Sequence, residues 1–176
     1  MKAFKTFVFL AALFFSINIQ AQSNTEVVSE RAILFADSLL KSFRSGNFNQ
    51  YTELSYPGVI SYYGGKKSFT EYVQRSRTIL HDMMAENLKV VQIINDITEW
   101  QCVVEKTTES TIDGKKAQII SYMVGQSKDK GQNWKFFDVA FNSVDNIVYI
   151  MPDIFNTLSI PQRQVVYVKN NVKGNM

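Results

Sequence analysis

Trp100-Gln-Cys-Val-Val-Glu-Lys-Thr-Thr-Glu-Ser-Thr-Ile-Asp113-Gly114-Lys-Lys-Ala-Gln-Ile-Ile-Ser-Tyr-Met-Val-Gly125-Gln126 decides the fold. In its first half Trp100, Cys102 and Val104 alternate with Glu99, Gln101 and Glu105. This period of two puts apolar side chains on one face of a strand and polar ones on the other. Threonines from Thr107 to Thr111 continue the pleated conformation. Asp113-Gly114 then suits a type I′ turn, whose two central residues need positive φ. The returning strand, Ala117 to Gln126, has Ile120, Tyr122 and Val124 on one face and Ile119, Ser121 and Met123 on the other. Both faces are therefore expected to be at least partly covered. Gly125 is expected to mark a bulge.

Working outward, Leu88 to Ile97 reads as a preceding strand. Ser127 to Gly131 is a polar turn into a last strand with Trp134, Phe136, Asp138 and Ala140 on one face and Phe137, Val139 and Phe141 on the other. Upstream, Ser23-x-x-Glu26 has the form of a capping box. Val28, Ala32, Phe35, Ala36, Leu39, Leu40 and Phe43 follow at helical spacing as far as Gly46. Asn47 caps a short helix, Phe48 to Leu54. Val59 to Tyr63 reads as a short strand, and Ser68 to Ala85 as a third helix that carries the single histidine, His81. Asp145 to Met151 is a short helix or strand, and Pro152 and Pro161 bracket a second short helix near Asp153 to Leu158. The tail, 162–176, is polar and expected to fray.

Met1 to Lys5 holds two lysines and no acid, and an apolar run from Thr6 to Ile19 leads to small Ala21. The run is shorter than the ~20 residues of a membrane span. This pattern predicts a secretory signal peptide over 1–21, a globular domain over 22–161 and no membrane contact after cleavage. No cysteine follows the run to accept a lipid anchor, so a soluble periplasmic or secreted product is expected. The sole cysteine, Cys102, falls at a core-facing strand position and is read as a small apolar side chain. Removing Lys2 and Lys5 from 19 basic residues leaves 17 against 16 acidic ones, a balance of +1. With no cluster of Lys and Arg among aromatics, nucleic acid is not an expected partner.

The order of these elements resembles the NTF2-like (SnoaL-like) superfamily. The likeness rests on Ala36-x-x-Leu39 to Gly46 in the first helix, Tyr56-Pro57-Gly58-Val59, Gly64-Gly65-Lys66, and Asn133-Trp134-Lys135-Phe136. It covers about 26–141. The resemblance implies an α+β cone, in which a curved antiparallel sheet wraps about three N-terminal helices and leaves a pocket at its open end. It implies no particular activity, because that superfamily contains isomerases, cyclases, dehydratases, transport factors and binding domains.

One histidine and one cysteine make no ordinary nitrogen/sulfur metal site. The glycines form neither a phosphate loop nor a dinucleotide fingerprint, so no cofactor is implied. Acid–base chemistry needs only a carboxylate base in an apolar pocket and a hydrogen-bond donor for the oxyanion. Asp138, flanked on its face by Phe136 and Ala140, is the best-placed carboxylate. Its plainer role is pairing with a nearby Lys, Arg or backbone donor. Tyr62, Trp100 and Tyr122 could line a pocket with Asp138 or simply pack the core. His81, beside Asp82 near a helix end, reads as a surface residue. The expected function is non-catalytic binding of a small apolar ligand or a protein partner, the alternative being a small pocket enzyme that uses Asp138. Apolar residues on both faces of the last strands also require cover on the side away from the helices. Either a homodimer through that face or the chain's own Asp145–Pro161 segment would provide it.

Overall fold

The structure, a computed structural model, describes residues 2–79, 84–96, 98–139 and 146–168, with side chains for all of these except 2–23, 78–79 and 84–86. His81, Ala140 and Phe141 lie outside the described residues. Four helices come first: α1 (Lys2–Ser45), α2 (Phe48–Leu54), α3 (Pro57–Tyr62) and α4 (Lys66–Ile79). The strands β1 (Met84–Asn95), β2 (Trp100–Ile112), β3 (Lys115–Ser127) and β4 (Lys135–Asp138) follow, then α5 (Ile147–Ile150) and β5 (Gln164–Tyr167). The fold is α+β, an N-terminal helix group against a curled antiparallel sheet. Among the described residues no helix is long and apolar enough to cross a membrane.

The hairpin forms as the sequence dictates. Asp113 and Gly114 have φ of 50° and 73°. Ile112 and Lys115 face each other across them, so the register is pinned from the tip to Trp100 and Ser127. Register shifts in β1 at Met84/Glu86 and Val90/Gln92 bend that strand, as bulges do. The strand order is β1-β2-β3-β4, with β5 sharing the outer edge of β3. β4 takes Met123–Gln126 and β5 takes Ala117–Ile120. The apolar stripe of α1 supplies Val28, Ala32, Ala36, Leu39 and Leu40 to the core, with Phe35 and Phe43 half-buried. α2 is capped as expected, the Asn47 side chain accepting from the Gln50 N–H at 3.2 Å.

Several expectations need correcting. α1 is continuous from Lys2, so Ser23 lies inside the helix and not at its cap. Val59 to Tyr62 is helical, with Tyr63 as its C-cap: Pro57 occupies the first turn, where its fixed φ and missing N–H cost nothing. The third helix ends by Ile79, and β1 begins at Met84. Gly125 is no bulge, since it pairs in register with both Cys102 and Phe136. It is glycine because a Cβ there would stand 2.3 Å from the Phe136 ring. Residues 153–158 form turns and no helix. The tail contains β5, because Val165, Val166 and Tyr167 supply strand-forming side chains that a reading of its polarity overlooked.

The supposedly wet face of β2 is the largest correction. Gln101 is fully buried and Glu99 nearly so. The segment 153–159 lies across that face, while α5 packs on α3; Ile147, Ile150, Met151 and Leu158 are all buried. Two glutamines hold the segment by its main chain. Gln101 donates to the Asp153 carbonyl and accepts from the Phe155 N–H, both at 2.9 Å. Gln92, on the neighbouring strand and the same face, donates to the Thr157 carbonyl at 3.0 Å and accepts from the Ser159 N–H at 2.8 Å. Each amide does for the segment what a strand neighbour does in a ladder.

Candidate functional site

Asp138 ends β4 with its side chain on the face that looks toward α1, α2 and α4, beside Met123 in the ladder. Lys106 reaches it from β2. The two strands stand two spacings apart, about 9.5 Å, with β3 between them. The residue of β3 opposite Lys106 is the small Ser121, which leaves room for the lysine stem to cross. Lys106 Nζ donates to Asp138 Oδ2 at 2.5 Å, and the side chains are 6% and 1% exposed. A buried cation is thus neutralised by a buried anion, the condition under which charges persist inside a protein.

Around Asp138 lies a cavity of about 10 Å³ whose walls include Phe43, Tyr51, Val59, Tyr63 and Tyr72. It has room for the centre of about one water molecule. Rings connect the cavity to the surface. Tyr51 stacks on Phe69 with centroids 6.1 Å apart, Tyr63 on Tyr72 at 4.2 Å, and Tyr62 meets Tyr63 edge-on at 5.3 Å. Burial, and then the negative charge of Asp138, push the Tyr51 phenol well above its ordinary value. Burial does the same to Tyr63, helped by its hydrogen bond with Tyr72. These phenols are neutral donors at ordinary pH. What the arrangement offers chemically is a paired carboxylate at a cavity lined by tyrosine side chains.

The other candidate residues do not join Asp138. Tyr122 is buried on the opposite face of β3, its hydroxyl 3.4 Å from Glu105. Burial followed by the Glu105 charge raises its phenol. Trp100 is half-buried at the start of β2, opposite Ser127 and four residues along the strand from Val104, which pairs with the Met123 beside Asp138. Tyr62 is 45% exposed at the end of α3 and reaches the cavity only through Tyr63. Sequence reasoning missed Lys106. It shares the parity of Cys102 and Val104, which would have assigned it to the core face. Tyr51, Tyr63 and Tyr72 lie on or beside helices that one strand's alternation could not bring together.

A second polar cluster joins the outer face to its covering segment. Gln126 donates to Glu99 Oε2 at 2.8 Å and to Asp153 Oδ2 at 3.1 Å. The Tyr56 hydroxyl donates to Asp153 Oδ1 at 3.1 Å, and Lys128 Nζ stands 3.6 Å from Asp153 and 4.0 Å from Glu99. Burial raises the Asp153 carboxyl, but bonds from Gln126 and Tyr56, with the Lys128 ammonium nearby, hold it below the usual aspartate value. An open cleft of about 350 Å³ beside this cluster is bounded by Tyr56, Gln126, Lys128, Asn133 and Lys135. Cys102 is a free thiol in the core, pushed up by burial. Among the described residues no three or more His, Cys, Asp or Glu side chains are grouped to hold a metal ion.

No protein-family model, no curated protein and no solved structure matches the chain.

Proposed function

We propose that this is an exported, NTF2-like binding domain that engages a protein partner through its surface, without catalysis. The observation that carries the reading is the contrast between interior and edge. The cavity at Asp138 holds about one water, far below the 300 Å³ or more of ordinary ligand pockets, and the larger space beside Tyr56 and Gln126 is a cleft open to solvent. Meanwhile every residue of β5 is exposed, three of its four being apolar: Val165, Val166 and Tyr167. Exposed apolar strand edges are sites of pairing with another chain. Export is supported by Lys2, Lys5 and the short apolar run to Ala21. The NTF2-like assignment is supported by helices first and a curled sheet after them, although α3 stands where a first strand was expected.

The test is a photo-reactive amino acid placed in the full chain, in its own host, at Tyr149 (75% exposed on α5) or at Tyr167. The expected result is one reproducible protein adduct from at least one of the two positions. Absence of an adduct from both would end the reading.

A second reading, a pocket enzyme with Asp138 as base, draws on the meeting of Tyr51, Tyr63, Tyr72 and Asp138 at one cavity. It requires Lys106 to release Asp138 and the cavity to open. Native mass spectrometry of the chain purified from its host would then show a small molecule bound in stoichiometric amount. The unliganded mass alone would speak against it, and equally against a small apolar ligand.

A further inference from the structure

We propose that the outer edge of β5 binds an extended peptide segment of a partner protein as an added strand, the segment having β-branched or aromatic residues at alternate positions and carboxylates at its ends. This rests on the protein-binding reading above and specifies its mode. The Val168 N–H donates inward to the Lys116 carbonyl at 2.9 Å. In an antiparallel ladder alternate residues turn their main chain to the same side. The N–H and C=O of Val166 therefore also face β3, and those of Val165 and Tyr167 face away from it. Among the described residues nothing pairs with these four groups, because β3 is the only strand that β5 meets. A strand supplies the matching donors and acceptors at the matching 4.7–4.9 Å spacing.

Side chains set the rest of the specificity. Val165 and Tyr167 line one face of the added pairing and Val166 and Val168 the other, each 38–52% exposed. Aromatic and β-branched side chains are their favoured cross-strand neighbours. Charge distinguishes a foreign strand from a second copy. Residues 161–176 contain Arg163, Lys169 and Lys173 and no acid. Lys116 stands beside Val168 on the same face, with Lys115 next to it, and both are exposed, as is Arg163. None of Arg163, Lys115 and Lys116 has a carboxylate partner among the described residues. Glu109, on β2, borders the same open cleft as Lys116 and Val168, and Asp113 lies at the hairpin tip; neither forms an ion pair with Lys116 or Arg163 among the described residues. A second copy paired there would bring another Arg163, Lys115 and Lys116 to the same edge. An acid-ended strand meets opposite charge there instead.

The experiment uses the full chain and two fluorescent nine-residue peptides with one valine–threonine core, closed at both ends by aspartate and glutamate in one and by lysine in the other. The acidic peptide should bind at least about tenfold more tightly at low salt, and the difference should shrink once salt screens the ends. Tyr167→Pro removes an outward N–H while leaving the inward ones of Val166 and Val168, so it should abolish binding with the thermal melt retained. If that variant fails to fold, Arg163→Glu with Lys116→Glu, both at exposed positions, should reverse the preference between the peptides. Equal binding of both peptides, or binding of neither, overturns the proposal. So does a chain that sediments as a dimer and becomes a monomer on Tyr167→Pro, which would make a second copy the occupant. An adduct from Tyr149 with no peptide binding would sink this edge site and leave the protein-binding reading standing.

Discussion

Lys106 and Asp138 leave water together, and each loses hydration worth several kcal/mol that their contact must return. Their pairing at 2.5 Å and near-complete burial make the two side chains depend on each other. Asp138→Asn, which strands the ammonium, should cost about 3 to 5 kcal/mol in urea unfolding, whereas Lys106→Met with Asp138→Leu should restore most of it. A double variant no more stable than the single one would show that Asp138 is held by other partners. Thr108 presents the opposite case, since its Oγ1 is buried without a hydrogen-bond partner. Thr108→Val should raise stability by about 1 kcal/mol, because an unsatisfied buried hydroxyl is itself a penalty. At Gly125 the Phe136 ring occupies the space of a side chain. Gly125→Ala should cost about 1 to 3 kcal/mol by overpacking. The parity of Lys106 and Asp138 was legible in the strands, but their contact was not. It depends on Ser121 lying between them, which only the register of three strands reveals.

At the scale of elements, the segment 151–160 is held largely through its main chain. Gln92 and Gln101 bond backbone groups spaced two residues apart, so the segment keeps an order that its own secondary structure does not supply. Its acid-sensitive point is Asp153, whose carboxyl sits below the ordinary aspartate value in the folded state. A depressed folded pKa contributes stability that is present above the unfolded value, near 3.9, and lost as pH falls through the folded one. Asp153→Asn should therefore lower the melting temperature at neutral pH, and the difference should shrink as pH falls below the ordinary aspartate value. A constant difference at every pH would mean that the carboxylate's charge is not what holds the segment. This part of the fold was illegible for a physical reason. Glutamines at 92 and 101 look like solvent-facing residues until 153–159 supplies backbone partners for them, and Gln126 does so until the carboxylates of Glu99 and Asp153 accept from it. The hairpin, by contrast, is a local matter of Asp113-Gly114 and alternation, which is why it was readable throughout.

At the scale of the molecule, the helices cover one face of the sheet, and 153–159 lies across the other. Leu39, fully buried in α1, belongs to the first layer, and Leu39→Ala should cost about 2 to 5 kcal/mol. The second layer bears on self-association. An uncovered outer face carrying Val103, Val124 and Phe137 would present the kind of apolar patch that drives two copies together. In the structure these residues are 0%, 0% and 2% exposed within a single chain. Their burial needs no second molecule: the main chain held by Gln92 and Gln101 lies over the face that carries Val103, and Phe137 meets the Tyr56 ring. Among the described residues, the large apolar ones that remain exposed are Val27 and Leu34 on α1, Tyr62 on α3, Val91 on β1, Val148 and Tyr149 on α5, and the β5 edge, where 161–176 has three basic residues and no Asp or Glu. Two copies would bring like charges together at that edge. The chain should therefore sediment as a monomer at micromolar concentration, and limited proteolysis should leave 151–160 intact while cutting elsewhere. A dimer accompanied by rapid cleavage within 151–160 would mean that the segment leaves the face in solution and that a second copy takes its place.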